Sequence, residues 1–296
     1  MGRNPRQRSV LQSQSLSQFT LSRSCFSPQN LKNTGWVSSD NKKPKDREQF
    51  FSLIRNFNNI LEIGPFDKLV TPKYKKDSAI VEYADYMSTD ELKARASLLP
   101  DRIPANVPHI SYIIAESFTA SINKKFDCVF SSHVLEHIPN LVKHFQEIQS
   151  ILNPGGTYLF ILPDKRYCFD AFISESTLPE VITSYFERRK KPSLRSVIEH
   201  RAFTVHNYKY LPGPQLITSR EIFDKIQDAI NEFNENDYVD VHCWQFTPES
   251  LEKIVNALIR LELISHHWNI QIFELNGEIG GYFQLLHSSI PSCDSQ

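Results

Sequence analysis

The chain has 296 residues, 40% hydrophobic and 23% charged, with a formal net charge of −1. That length allows one large domain, or one domain with a long appendage, and the hydrophobic share suffices for a sizeable core. The near-neutral balance gives no sign of a nucleic-acid partner, and no apolar run is long enough to span a bilayer.

The charge is nevertheless segregated. Residues 1–47 carry nine Lys/Arg against Asp40 and Asp46, so that stretch is +7 and the remainder −8. Residues 1–45 are rich in Ser, Gln, Asn and Arg, with no acid before Asp40. Such a segment cannot bury enough apolar surface to order itself and reads as a disordered basic tail. An organelle import signal has the same look and is the alternative. Five cysteines (Cys25, Cys128, Cys168, Cys243, Cys293) stand without paired spacing, which argues for reduced thiols in a cytoplasmic protein.

Asp46 to Phe57 places Phe50, Phe51, Ile54 and Phe57 at helical spacing, with Asp46 as cap. Asn59 to Ile63 then reads as a buried strand stopped at Gly64-Pro65, with Glu62 at its C-terminal mouth. In open α/β sheets that mouth is where ligands bind. About fifteen residues, broken by Pro72 and a Lys cluster, lead to the second strand, so a loop or single turn is expected. The second strand, Ala79 to Ala84, ends at Asp85, 21 residues beyond Gly64. Nucleotide-binding α/β folds set an acid against a ribose diol at that offset.

Ser88 or Thr89 caps a helix to about Leu98, and a Pro-rich loop leads to a third strand over Ile110 to Ala115. Phe126 to Ser132 is a fourth strand, and Leu141 to Leu152 a helix that stops at Asn153-Pro154-Gly155-Gly156. Thr157 to Leu162 is the fifth strand. Apolar strands alternating with helices imply a mainly parallel sheet covered on both faces.

After strand five the alternation lapses. Leu178 to Arg189, Ser193 to Phe203 and Thr218 to Phe233 are expected helices, the last with a capping box at Thr218 or Ser219. The segment 167–238 reads as a helical cap with a polar-aromatic cluster of His200, Arg201, His206, Tyr208 and Tyr210. Tyr238 to Phe246 alternates as a strand or an extended lid edge, and Thr247-Pro248 starts a further helix. His267 to Leu275 and Gly280 to His287, joined by Asn276-Gly277, form a hairpin. The expected fold is α/β, a Rossmann-like seven-stranded sheet with an antiparallel last strand. Residues 46–166 and 239–290 form the sheet domain.

The motifs LEIGPF, an acid closing the next strand, FDCVFSSHVLEHIPN and LNPGGTYLFILPD resemble the class I S-adenosylmethionine-dependent methyltransferases. The Leu-Glu-His after strand four is similar to the methyltransferase-11 type. PDKRYCFD and YVDVHCWQFTPES resemble bacterial members found with sugar-transferring enzymes of polysaccharide synthesis. The resemblance implies S-adenosylmethionine as cofactor and methyl transfer to a small-molecule or saccharide acceptor. It implies cofactor contacts at Glu62, Gly64, Asp85, Glu116, Ser117, Ser132 and His133, with Asp85 on the ribose hydroxyls.

The donor is already activated, so positioning carries most of the chemistry. His133 or Asp164 could serve as a base for a hydroxyl or amine acceptor, and His137, Arg166, Tyr167, His242 and Trp244 could hold that acceptor. A non-catalytic module of the same fold, or a dinucleotide oxidoreductase, are the rival readings. The latter lacks a G-x-G-x-x-G. His133 to His137 also spells the zinc-protease pattern H-x-x-E-H, but Pro139 interrupts the single helix that pattern needs. No metal is expected.

Overall fold

The computed structural model describes residues 43–114, 117–206 and 220–286. The basic tail before Lys43, Glu116, Tyr208, Tyr210 and the capping box expected at Thr218 or Ser219 lie outside the described residues.

Helix α1 (Arg47–Phe51) starts where Asp46 accepts a hydrogen bond from the Gln49 N–H, and a 3-10 turn (Ser52–Asn56) extends it. The strands follow as β1 (Asn59–Ile63), β2 (Ile80–Asp85), β3 (Tyr112–Ile113), β4 (Phe126–Ser132), β5 (Leu152–Pro163), β6 (Trp268–Glu274) and β7 (Glu278–Leu285). They form one sheet in the order β3-β2-β1-β4-β5-β7-β6. The first five strands are parallel, and β7 runs antiparallel between β5 and β6.

Between strands lie α2 (Thr71–Tyr74), α3 (Thr89–Ser97), α4 (Phe118–Ser121) and α5 (Leu141–Ile151). Helix α2 is a single turn, as Pro72 and the lysines imply. Helix α3 begins with a capping box, Ser88 and Glu91 each bonding the other's backbone N–H, which satisfies two donors that open a helix unpaired. β3 is shorter than the apolar run around it, two residues instead of six.

Strand residues alternate between two faces. One face presents Leu61, Ile63, Ala84, Val129, Tyr158 and Phe160, which pack with Val142, Phe145 and Ile148 of α5 in the main core. Helix α9 (Pro248–Arg260) adds Leu251, Val255 and Leu258. Each such fully buried aliphatic or aromatic side chain contributes about 1.5–3 kcal/mol. The Phe160 ring fills the space over Gly281, where an added Cβ would lie 2.0 Å from Phe160 Cζ. The β6–β7 hairpin turns at Asn276 (φ 52°) and Gly277 (φ 99°), the left-handed pair that the Asn-Gly signal anticipates.

The segment after β5 holds α6 (Leu178–Phe186), α7 (Leu194–Ile198) with a π-helical turn (Glu199–Phe203), and α8 (Arg220–Glu235). It divides energetically. Val181 of α6 joins the main core, whereas Val197, Ala229, Val239 and Val241 make a small core of their own. The cap's packing therefore reaches past residue 238. Tyr238 to Phe246 is extended but joins no strand. Its hydrogen bonds go to the turn after β4, from Cys243 N–H to Glu136 O (2.6 Å), Tyr238 OH to His137 O (3.2 Å) and Trp244 Nε1 to Ile138 O (2.6 Å). They go also to the segment after β5, where Gln245 O accepts from Ser176 N–H and Phe246 O from Lys165 N–H, both at 2.9 Å.

Candidate active site

The register brings three predicted residues to one side. Glu62 pairs with Tyr83 and with Phe130. Asp85 and Ser132 each follow those partners by two residues, so Glu62, Asp85 and Ser132 share a face at neighbouring C-terminal strand ends. Their engagements differ. Glu62 is 2% exposed and accepts from the Val70 N–H (3.0 Å), the Thr71 N–H (3.2 Å) and the Thr71 hydroxyl (2.5 Å). Burial raises its pKa, against those three hydrogen bonds. Glu62 thus ties the loop after β1 to the start of α2, so its oxygens are not left open towards a ribose. Asp85 accepts from the Met87 N–H at 3.0 Å, and burial raises its pKa.

Gly64 adopts φ +66°, and a Cβ there would meet Val134 Cγ2 at 2.7 Å. The site therefore needs glycine both for its backbone and for the approach of the turn after β4. Asp67 closes the same loop by accepting from Arg102 Nη1 and the Ile103 N–H, both at 2.9 Å. Ser117 caps α4, accepting from the Ala120 N–H at 3.2 Å.

His133 stands in a left-handed conformation, φ 55°. Its Nε2 lies 2.8 Å from Glu278 Oε1 and its Nδ1 3.3 Å from Glu136 Oε1. Burial favours the neutral ring, but the hydrogen bonds and charges of Glu136 and Glu278 outweigh it and lift the pKa to about 9. A ring charged in this way has no lone pair to take a proton and links the end of β4 to Glu278. Arg47 completes the cluster, 3.2 Å from Glu278 Oε1 and 3.4 Å from Ser132 Oγ. Nothing local in the sequence links Arg47 or Glu278 to the site, because the contacts span the whole domain.

At the end of β5, Asp164 and Arg166 satisfy each other. Asp164 is fully buried. It accepts from Arg166 Nε on both oxygens (3.0 Å each) and from Nη2 at 2.5 Å. Glu274 holds the same guanidinium at 3.1 Å. The buried Asp164 carboxylate is thus held by Arg166 Nε and Nη2 in a close ion pair, while the Arg166 side chain remains 38% exposed. Tyr167 is exposed beside it, its ring 5.5 Å from the Arg166 guanidinium.

His137 and His242 meet edge to face, ring centroids 4.9 Å apart. Each imidazole has an aspartate at Nδ1: Asp240 at 3.0 Å from His137 and Asp170 at 2.6 Å from His242. Burial lowers the His137 pKa, but the bond to Asp240 and the charge of Glu136 raise it overall. His200 lies 6.0 Å from His242, and Phe169 packs against His200, His206 and His242 at 4.8–5.5 Å. Burial and the neighbouring Arg201 charge lower the His200 pKa to about 4. The result is a packed cluster of histidine rings around Phe169, between the turn after β4 and the segment after β5. Trp244 is 3% exposed, with its indole N–H spent on Ile138. It faces a separate cavity of about 180 Å³ that Ser176, Arg189 and Arg195 also line.

A family described as a methyltransferase domain matches residues 38–258, well over half of the chain. No curated protein matches it. Among solved structures, DhpI in complex with SAH is 14% identical, with a TM-score of 0.41, covering 80% of this chain and 83% of that one. The plantazolicin methyltransferase BpumL in complex with SAH is 9% identical, with a TM-score of 0.40, covering 80% and 81%. Those likenesses are loose, and the family match carries the assignment. The chain belongs to the methyltransferase domain family.

Proposed function

We propose that the chain transfers a methyl group from S-adenosylmethionine to a small-molecule acceptor of saccharide type. The observation that carries this reading is the shared face of Glu62, Asp85 and Ser132 at adjoining strand ends, in a chain of methyltransferase family. Asp85 takes the ribose hydroxyls, because an ionised carboxylate accepts hydrogen bonds and gives none. Gly64 and the Glu62-tied loop shape the floor beneath the methionine part. When bound, the cofactor supplies a methyl already activated on sulfonium, and the protein's part is to orient donor and acceptor in a dry pocket.

The acceptor lies on the side of His137, His242 and Phe169. Stacking on Phe169 and hydrogen bonds to the imidazoles suit a hydroxyl-rich ring. The likeness of PDKRYCFD and YVDVHCWQFTPES to members found with polysaccharide-synthesis enzymes supports the same class. His133 positions rather than deprotonates, as the charged link between the end of β4 and Glu278.

A second reading, a binding module without turnover, is favoured by one feature. Gly64 is the lone glycine of its loop, and Val134 crowds it. Release of S-adenosylhomocysteine across a panel of sugar nucleotides and small phenols decides between the two. Turnover with a sugar-bearing acceptor supports the enzyme; no release on any acceptor, with no binding of S-adenosylhomocysteine, supports the module.

A further inference from the structure

Glu136, His137 and His242 offer three ligand atoms within 4.8 Å of one another, although the H-x-x-E-H pattern does not form the helix it needs. The third donor comes instead from the strap 238–246, which crosses the turn after β4. We propose that these three residues bind one divalent transition-metal ion of the zinc class, with Asp170 and Asp240 orienting the two imidazoles.

Four observations carry the site. Two imidazoles and a carboxylate are a donor set that zinc uses where one coordination position stays open. His242 has its Nδ1 hydrogen-bonded to Asp170 at 2.6 Å, which leaves its Nε2 for a ligand, and Asp240 stands 3.0 Å from His137 Nδ1, an atom that is buried without a hydrogen-bond partner. Aspartates at that position fix the tautomer and orientation of metal-bound histidines. Glu136 is 1% exposed; His133 Nδ1 stands 3.3 Å from its Oε1, and its Oε2 has no hydrogen-bond partner among the described residues. A buried carboxylate in that condition is costly; His133 offsets part of the charge at 3.3 Å, and a cation at the other oxygen would offset the rest.

The spacing needs only modest adjustment. Zinc bonds of 2.0–2.2 Å set tetrahedral ligand atoms about 3.3–3.6 Å apart, so binding draws the three side chains together by about an ångström. An oxygen of water or of a bound hydroxyl compound takes the open position. The site stands on these contacts alone, whether or not the chain transfers methyl groups.

The test uses the full chain without a histidine tag, loaded with Zn2+, dialysed, and measured for metal by mass spectrometry beside a Zn2+ titration by calorimetry. The expected result is one retained equivalent, lost in His137→Ala and His242→Ala and kept in His266→Ala, whose exposed ring lies outside the cluster. Asp170→Asn should weaken binding about 10- to 100-fold. Circular dichroism checks that each variant folds. If the alanine variants do not fold, the Co2+-loaded wild type decides, with intense visible bands of tetrahedral coordination supporting the site and their absence overturning it. No retained zinc in the wild type, or undiminished zinc in a folded His242→Ala, would also overturn it.

Discussion

His133 Nε2 lies 2.8 Å from Glu278 Oε1, joining the residue after β4 to the first residue of β7. The bond spans 145 positions of sequence and holds His133 in a left-handed backbone that costs on the order of 1–3 kcal/mol. A strained residue of this kind persists only where its surroundings over-determine it. Here Glu136, Glu278 and Arg47 do so.

The clamp has a pH signature. His133 titrates near 9 in the folded chain against an ordinary 6.5. A raised folded pKa stabilises fully below about pH 6.5, and that contribution disappears as pH rises towards 9. Thermal melts should show the melting temperature falling across that interval. His133→Gln should flatten the fall, and an unchanged slope would remove His133 as its cause.

On the acid side, beside carboxylates such as Glu136 and Asp240 whose pKa the neighbouring histidines lower, a further contribution comes from His144. It is 3% exposed, hydrogen-bonded to the Tyr158 hydroxyl at 3.0 Å, and burial lowers its pKa to about 3. A histidine kept neutral by folding stabilises fully above about pH 6.5, and that contribution is lost as pH falls towards 3. His144→Phe keeps the packing against Phe118 and removes the titration. Acid unfolding monitored by circular dichroism should then begin at lower pH than in the wild type.

Glu62→Gln should cost about 1–3 kcal/mol of stability, because an amide turns a donor towards two backbone N–H groups and a hydroxyl. Chemical denaturation measures it. A loss below about 0.5 kcal/mol, the usual range for exposed positions, would mean that the loop after β1 is held by other contacts.

Gly64→Ala meets two obstacles, a positive φ and a contact of 2.7 Å with Val134. We expect a loss of about 1–3 kcal/mol. Val134→Ala in the same chain should recover the steric part and leave the backbone part. Full recovery in the double variant would show that φ carries no cost there.

Much of the fold was legible because strands with both faces covered must be apolar along their length. β1, β4 and β7 stand within two residues of their apolar runs, and the Ser88, Thr247 and Asn-Gly signals mark real ends. β3 was overestimated: the strand is Tyr112–Ile113, and Ile110 gives its N–H to the Thr89 hydroxyl instead of to β2. Tyr238 to Phe246 alternates like a strand, yet its hydrogen bonds go to the turn after β4 and to the segment after β5, a choice that only tertiary contact decides. The site was half legible. Asp85 and Ser132 could be placed from strand ends alone, because topology puts those ends together. The charge on His133 and the aspartates behind His137 and His242 could not, since Glu278, Asp170 and Asp240 come from segments far away in sequence. Asp164 and Arg166 show another limit: two residues apart, they form a close ion pair that spacing alone does not reveal.

The central claim is that the end of β2 holds an adenosyl ribose through Asp85. Calorimetric titration of S-adenosylhomocysteine into the wild type and a folded Asp85→Ala variant tests it most directly. We predict binding by the wild type and a loss of about 1–3 kcal/mol in the variant, the cost of a charged hydrogen-bond partner, with little change in melting temperature. Equal affinity in the two proteins, or no heat from the wild type at millimolar ligand, would contradict it.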